Sequence, residues 1–114
     1  MGANTQQATR NAFRHAVNMA PGQLERWLGS EGSKQVGQKK SRSAESTGHA
    51  SGRRIVALRR RPIKSYTADD HKFMDKVVGY VKRHSAQRPD GDITDTPWRA
   101  SLMNWGHDPK KVNR

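Results

Sequence analysis

The chain has 114 residues, a net charge of +12, 32% hydrophobic and 6% aromatic side chains, and no cysteine. That length predicts a single small domain, 1–114, with a modest core. The missing cysteine excludes disulfides, thiolate zinc sites and thiol catalysis, and no stretch approaches the ~20 apolar residues of a membrane span.

The N-terminal "MGANTQQATRNAF" lacks the apolar run of a signal peptide. Gln6 stands where a myristoylation start needs Ser or Thr. A cytoplasmic location is therefore expected. Residues 1–6 are polar and read as a disordered tail. From Thr5 onward Ala8, Ala12, Phe13, Ala16 and Val17 recur at helical spacing, with Arg10 and Arg14 on the other side. "PGQLERWLG" predicts a second, short helix. Pro21 fits its first position, Leu24, Trp27 and Leu28 give its apolar stripe, and Gly29 is expected as a left-handed stop.

Residues 30–50, "SEGSKQVGQKKSRSAESTGHA", hold Val36 as their one sizeable apolar residue. They predict a long flexible basic loop. "SGRRIVALRRRPIK" follows, with Ser51 as expected cap and a helix running from Gly52 to Arg61, before Pro62. At ~100° per residue Arg53, Arg54, Arg60 and Arg61 share one arc, opposite Ile55 and Leu58. Arg59 falls near the apolar edge.

"YTADDHKFMDKVVGYVKRHSAQRP" is the strongest helix signal. Thr67 and Asp70 form a capping-box pattern. Asp69 and Asp70 suit the positive end of the helix dipole; Lys82, Arg83 and His84 suit the negative end. Phe73, Met74, Val77, Val78, Tyr80 and Val81 make a wide apolar face. Gly79 costs ~1 kcal/mol within a helix, which predicts close approach of another helix there. "RPDG" reads as a turn. "DTPWRASLMNWGHDP" predicts a last helix, capped by Thr96 or Asp95, begun by Pro97 and stopped by Gly106, with Trp98, Leu102 and Trp105 on one face. No segment has convincing strand periodicity. The expected fold is all-α, an irregular bundle of about five helices with a long flexible basic loop.

The segments "VNMAPGQLERWL", "GHASGRRIVAL", "KVVGYVKRHSAQRPDGD" and "LMNWGHDP" together resemble a family of small, mostly bacterial proteins of unknown function, commonly labelled "DNA-binding protein". The resemblance covers roughly residues 11–111. It implies DNA binding without a contact map and implies no established reaction. Ala20 stands where the family more often has a capping Thr, and Arg59–Arg61 is more basic than the family pattern.

The charge distribution points the same way. Residues 31–64 hold ten Lys or Arg and two Glu, a net of +8, while residues 89–114 balance at zero. Such a concentrated field attracts nucleic acid, anionic lipid or an acidic protein. Arginine binds phosphate through a two-pronged fork and keeps its charge. Arg53, Arg54, Arg60 and Arg61 are therefore the expected duplex contacts, assisted by Arg59 and Lys64. Lys39, Lys40 and Arg42 would act as a mobile arm. Lys82 and Arg83 extend the patch or simply complement the helix dipole. Backbone contact with low sequence specificity is expected, since no zinc-finger, homeodomain or aromatic RNA-binding pattern occurs. Double-stranded DNA is the expected partner, placing the protein on the nucleoid. The alternative is an interaction module docking its basic face on an acidic protein.

Trp98 and Trp105 fit core packing better than base stacking. His71 and Asp75 have metal-ligand spacing without an identifiable third ligand. His107-Asp108 reads as a catalytic loop or as a helix stop locked by a histidine bond. No catalytic residue, metal or cofactor is expected, and the chain reads as a non-enzyme.

Overall fold

The structure is a computed structural model describing residues 2–35 and 46–111, with the side chains of residues 5–34 and 46–111. Among the described residues six α-helices follow in order: α1 (Gly2–Ala16), α2 (Pro21–Leu28), α3 (Glu31–Gln35), α4 (Thr47–Arg59), α5 (Ala68–Ser85) and α6 (Pro97–Asn104). Short 3-10 turns lie at Ile63–Ser65 and Pro109–Lys111. The fold is all-α, with no strand among the described residues. α1 packs along α5, α2 packs on α4, and α6 touches α2, α3, α4 and α5.

α1 begins at Gly2, inside the stretch read from sequence as a disordered tail. Its buried stripe is Thr9, Phe13, Ala16 and the following Val17, while Ala8 and Ala12 are exposed. Alanines matched the helical period but carry little area to bury; Thr9 is placed inward because its hydroxyl donates to Asp75 Oδ1 of α5 at 3.1 Å. α2 starts on Pro21 as its sequence implies and buries Leu24 and Leu28. Gly29 is not a left-handed stop. Its φ is −81°, and the chain passes through Ser30 straight into α3, a helix the sequence reading had placed in the flexible loop. Glu31 begins it, and Ser33 is fully buried.

α4 departs from its expected bounds at both ends. It is capped by Ser46, whose side chain accepts from the His49 N–H at 3.0 Å. Ser51, the expected cap, lies inside the helix and is buried. The helix stops at Arg59, so Arg60 and Arg61 belong to the turn that follows. Of the stretch 30–50 expected as a basic loop, residues 31–35 and 47–50 are helical, and residues 36–45 lie outside the described residues.

α5 matches its signals closely. The Thr67–Asp70 capping box is formed in both directions, and Phe73, Met74, Val77 and Val81 are buried. α6 is capped by Thr96 and begun by Pro97. Its end is a Schellman stop: the Gly106 N–H donates to Met103 O and the His107 N–H to Leu102 O. Gly106 has φ +81°, the left-handed conformation that an L side chain adopts only at a cost. The core joins Phe13, Val17, Met19, Leu24, Ile55, Leu58, Met74 and Val77 with Met103 and Trp105. Trp98 sits outside it, half-buried, donating its indole N–H to His84 O at 2.7 Å.

The glycine that permits close helix approach is Gly52, not Gly79. A Cβ at Gly52 would collide with the Asn104 carbonyl of α6 and Leu28 of α2. At Gly79 the near group is the Arg83 guanidinium of the same helix.

Candidate functional site

The arginines of α4 divide between two neighbours. Arg54 reaches Asp69 and Asp70 at 3.1 and 3.2 Å, with its guanidinium 4.4 Å from the Phe73 ring centroid. Arg61 reaches the other oxygen of Asp70 at 2.9 Å and also donates to Ser65. Both therefore turn toward the start of α5. On the other side, Arg60 pairs with Glu25 of α2 at 3.0 Å, and Arg53 borders a groove with Glu25, Leu28, His49 and Val56. The four expected contacts do not form one free face. The sequence window 51–68 contains no acid, but folding brings acids from just beyond it and from α2.

Asp70 is the anchor of this arrangement. Its carboxylate accepts from the Thr67 backbone N–H and from two arginines while its own N–H bonds Thr67 Oγ1. The backbone bond, and then the Arg54 and Arg61 forks, outweigh burial and lower its pKa from 3.8 to about 2. Arg54 and Arg61 thus have structural work whatever else they bind. All three forks of Arg54, Arg60 and Arg61 stay near the surface, with side chains 41%, 49% and 39% exposed.

A second set of cations gathers beyond the end of α4. A cleft of about 350 Å³ opens between α1 and the α4 exit, lined by Arg10 and Arg14 on one wall and Arg59 and Arg61 on the other. Phe13, Ile63 and Tyr66 form its apolar part, and no carboxylate among the described residues lines it. Gln7, Arg10, Asn11 and Arg14 also fall at i, i+3, i+4 and i+7, one face of α1. Arg59 is half-buried, pointing Nη1 toward the carbonyls of Val17 and Met19 at 3.4 and 3.5 Å. Arg10 Nη1 lies 3.1 Å from His71 Nε2. His71 Nδ1 faces the Thr67 carbonyl at 2.7 Å, so Nδ1 carries the proton and Nε2 accepts from Arg10. Arg14 makes no hydrogen bond or ion pair among the described residues. Lys64 is exposed in the adjoining 3-10 turn.

Sequence reasoning assigned Arg10 and Arg14 to the outer side of α1 but not to the site. The available signal was a pair of arginines at i, i+4 in a helix without acids. Lys82 and Arg83 are exposed but are not part of this cleft. Arg83 lines a separate 390 Å³ cavity with Lys76, Tyr80, Trp105 and the start of α4, Thr47 and Gly48, about 18 Å along α4 from Arg59 at 1.5 Å per residue. Lys39, Lys40 and Arg42 lie outside the described residues.

The other chemically suggestive residues have structural partners. His71 and Asp75 bond Thr67, Arg10 and Thr9 rather than sharing a site, and no group of three or more metal-type ligands occurs among the described residues. His107 is the histidine lock: Nδ1 donates to Ala16 O at 2.7 Å, joining the end of α6 to the end of α1. Asp108 takes a two-pronged bond from Arg99 at 3.0 and 3.1 Å. Asn104 accepts from Trp27 Nε1 at 2.7 Å and from Ser33 Oγ, and donates to Ser33 O at 3.1 Å. The unusual run Asn104–Asp108 is therefore a knot that ties α1, α2, α3 and α6 together.

Residues 12–103 match the model of a family described as a protein of unknown function, DUF3140, and the chain belongs to that family. No curated protein and no solved structure matches it. Among the described residues no helix is long and apolar enough to cross a membrane.

Proposed function

We propose that this DUF3140 protein is a non-catalytic DNA-binding protein of low sequence specificity that contacts the duplex phosphate backbone and acts on the nucleoid. The observation that supports this most is the convergence of Arg10 and Arg14 of α1 with Arg59 and Arg61 on one cleft lined by no carboxylate among the described residues. With Lys64 in the adjoining turn the edge offers five cations, and Arg60, exposed on the α2 side of α4, is a sixth at the same helix end. Guanidinium forks match phosphate oxygens geometrically. Low specificity follows from the same inventory, since phosphate contacts position a protein without reading sequence.

The intramolecular ion pairs are compatible with this role. Arg60–Glu25 joins two exposed side chains, a type of pair worth roughly 0–1 kcal/mol, so a phosphate can replace the carboxylate at little cost. Arg54 and Arg61 are poorer candidates, because leaving Asp70 would strip a buried carboxylate of a partner; Arg61 lines the cleft while still paired. Arg10, Arg14, Arg59 and Lys64 are therefore favoured over Arg54 as phosphate contacts.

Fluorescence anisotropy of a labelled random-sequence duplex across a salt series tests this. Neutralising about six phosphates gives a slope of log K against log salt near about −5. Arg14→Gln combined with Arg60→Gln and Lys64→Gln leaves Asp70 and its partners intact and is expected to flatten the slope by about 3 units. No binding at low salt would refute the proposal and point to an acidic protein as the partner of this face.

A further inference from the structure

The cleft is a small concavity within the basic edge. Its volume of about 350 Å³ falls in the range of small-molecule sites, so it can seat one nucleotide while the cations around it follow the backbone. Three of its four guanidiniums have no carboxylate partner among the described residues. Arg14 is unbonded, Arg10 meets a neutral imidazole, and Arg59 meets only carbonyls. Arg61 alone is neutralised, through Asp70. Cations crowded on one concavity repel one another unless an anion sits between them.

The anion that best answers this arrangement is a phosphomonoester. It carries about −1.5 to −2 charges at pH 7 and three strong acceptor oxygens. A bridging phosphodiester has a single charge and two free oxygens. The remaining lining suits what a terminal phosphate is attached to. Ile63, 51% exposed, and half-buried Tyr66 offer apolar surface to a sugar and base. The side-chain amides of Gln7 and Asn11 can both donate and accept along the same wall. His71, held by Thr67, fixes Arg10 toward the cleft from behind.

We propose that the cleft between α1 and the α4 exit seats the phosphomonoester nucleotide at the end of a DNA strand, with Arg10, Arg14 and Arg59 holding the phosphate. This rests on the DNA-binding reading and adds a preference for phosphorylated ends. The same chemistry occurs in a free nucleotide, and the experiment separates the two.

Two short duplexes, identical except for a 5′-phosphate or a 5′-hydroxyl, are titrated by anisotropy at fixed salt. The phosphorylated duplex is expected to bind about tenfold more tightly. The difference is expected to disappear in Arg14→Gln, which removes no intramolecular bond, and to shrink below about pH 6, where the phosphate takes up its second proton. A nucleoside monophosphate that abolishes the difference at a concentration comparable to that of strand ends would overturn the assignment to strand ends in favour of a free nucleotide. Millimolar competition supports strand ends. Equal binding of both duplexes overturns the inference and leaves general DNA binding standing. Binding of neither duplex overturns the DNA reading, and the end preference with it.

Discussion

Gly52→Ala replaces one hydrogen with a methyl group in the middle of α4, yet it is expected to be among the more damaging single substitutions. The added Cβ would press on the Asn104 carbonyl oxygen well inside van der Waals contact, and on Leu28 Cδ2 and Cδ1 at 2.7 and 3.1 Å. The carbonyl is backbone at the end of α6 and cannot rotate away. Leu28 is 5% exposed and enclosed. Overpacking of this kind costs typically 1–3 kcal/mol, and the upper end applies where the neighbours cannot yield. Alanine returns about 1 kcal/mol of helix propensity. The net is a destabilisation of about 2 kcal/mol, or about 8 °C in Tm at roughly 4 °C per kcal/mol for a domain of this size. Gly79→Ala provides the internal control. Its Cβ meets the Arg83 guanidinium, Nη1 nearest at 2.9 Å, the tip of a flexible side chain that can swing aside. That variant is expected to gain about 0.5–1 kcal/mol. Urea denaturation followed by circular dichroism measures both. Equal effects of the two substitutions, or a Gly52→Ala variant as stable as the parent, would refute the described crossing of α4 against α6 and α2.

Other expectations follow from the polar contacts. Asp70 has a folded pKa of about 2 against an ordinary 3.8, so its contribution to stability is present above pH 3.8 and is lost as pH falls toward 2. Asp70→Asn should weaken the fold by about 1–2 kcal/mol at neutral pH through loss of the charge that Arg54, Arg61 and the Thr67 N–H bond, and should flatten the acid limb of the pH–stability curve; an unchanged limb would contradict the assignment. Asn104→Leu leaves Trp27 Nε1 and the Ser33 groups without partners, costing about 3 kcal/mol at 1–3 kcal/mol per buried unsatisfied group; a loss under about 1 kcal/mol in urea melts would sink that account of the knot. Arg99→Met removes the two-pronged bond to Asp108, whose carboxyl is held below its usual range by that fork and the Lys110 N–H against the opposing effect of burial. The variant should destabilise at neutral pH, where Asp108 is ionised, and recover part of the loss as pH falls and the carboxyl protonates. A loss independent of pH would refute it.

Much of the fold was legible because local rules agreed with packing. Pro21, Thr67 with Asp70, Pro97 and Gly106 marked helix ends by backbone chemistry that does not depend on neighbours. The period of Phe73, Met74, Val77 and Val81 gave α5. Where the reading failed, distant residues decided the outcome. α3 is a five-residue helix of Glu, Gly, Ser, Lys and Gln, with no apolar period. Ser33 is buried there because Asn104, 71 positions away, bonds it. Ser51 was the expected cap of α4, and Ser46 caps it instead. Gly48 and Gly52 packing against α6 sets the longer helix.

The site was legible in kind but less so in place. The excess of arginine was plain in the sequence, and the arc of Arg53, Arg54, Arg60 and Arg61 followed from helical geometry. That geometry ended at Arg59, and Asp69, Asp70 and Glu25 then drew three of the four away. Arg10 and Arg14 acquire significance only because the end of α4 folds beside α1, a contact some 45–50 positions apart along the chain that no local pattern carries.

The central claim is that the edge joining α1 to the α4 exit meets the phosphate backbone. Titrating isotopically labelled protein with a short duplex, and following backbone amide shifts by NMR, tests it most directly. The account expects the largest changes at Gln7, Arg10, Asn11 and Arg14 and from Arg59 to Tyr66, with the Thr47, Tyr80 and Trp105 cavity undisturbed. Changes centred on Lys76, Arg83 and that second cavity, or no changes at low salt, would contradict it.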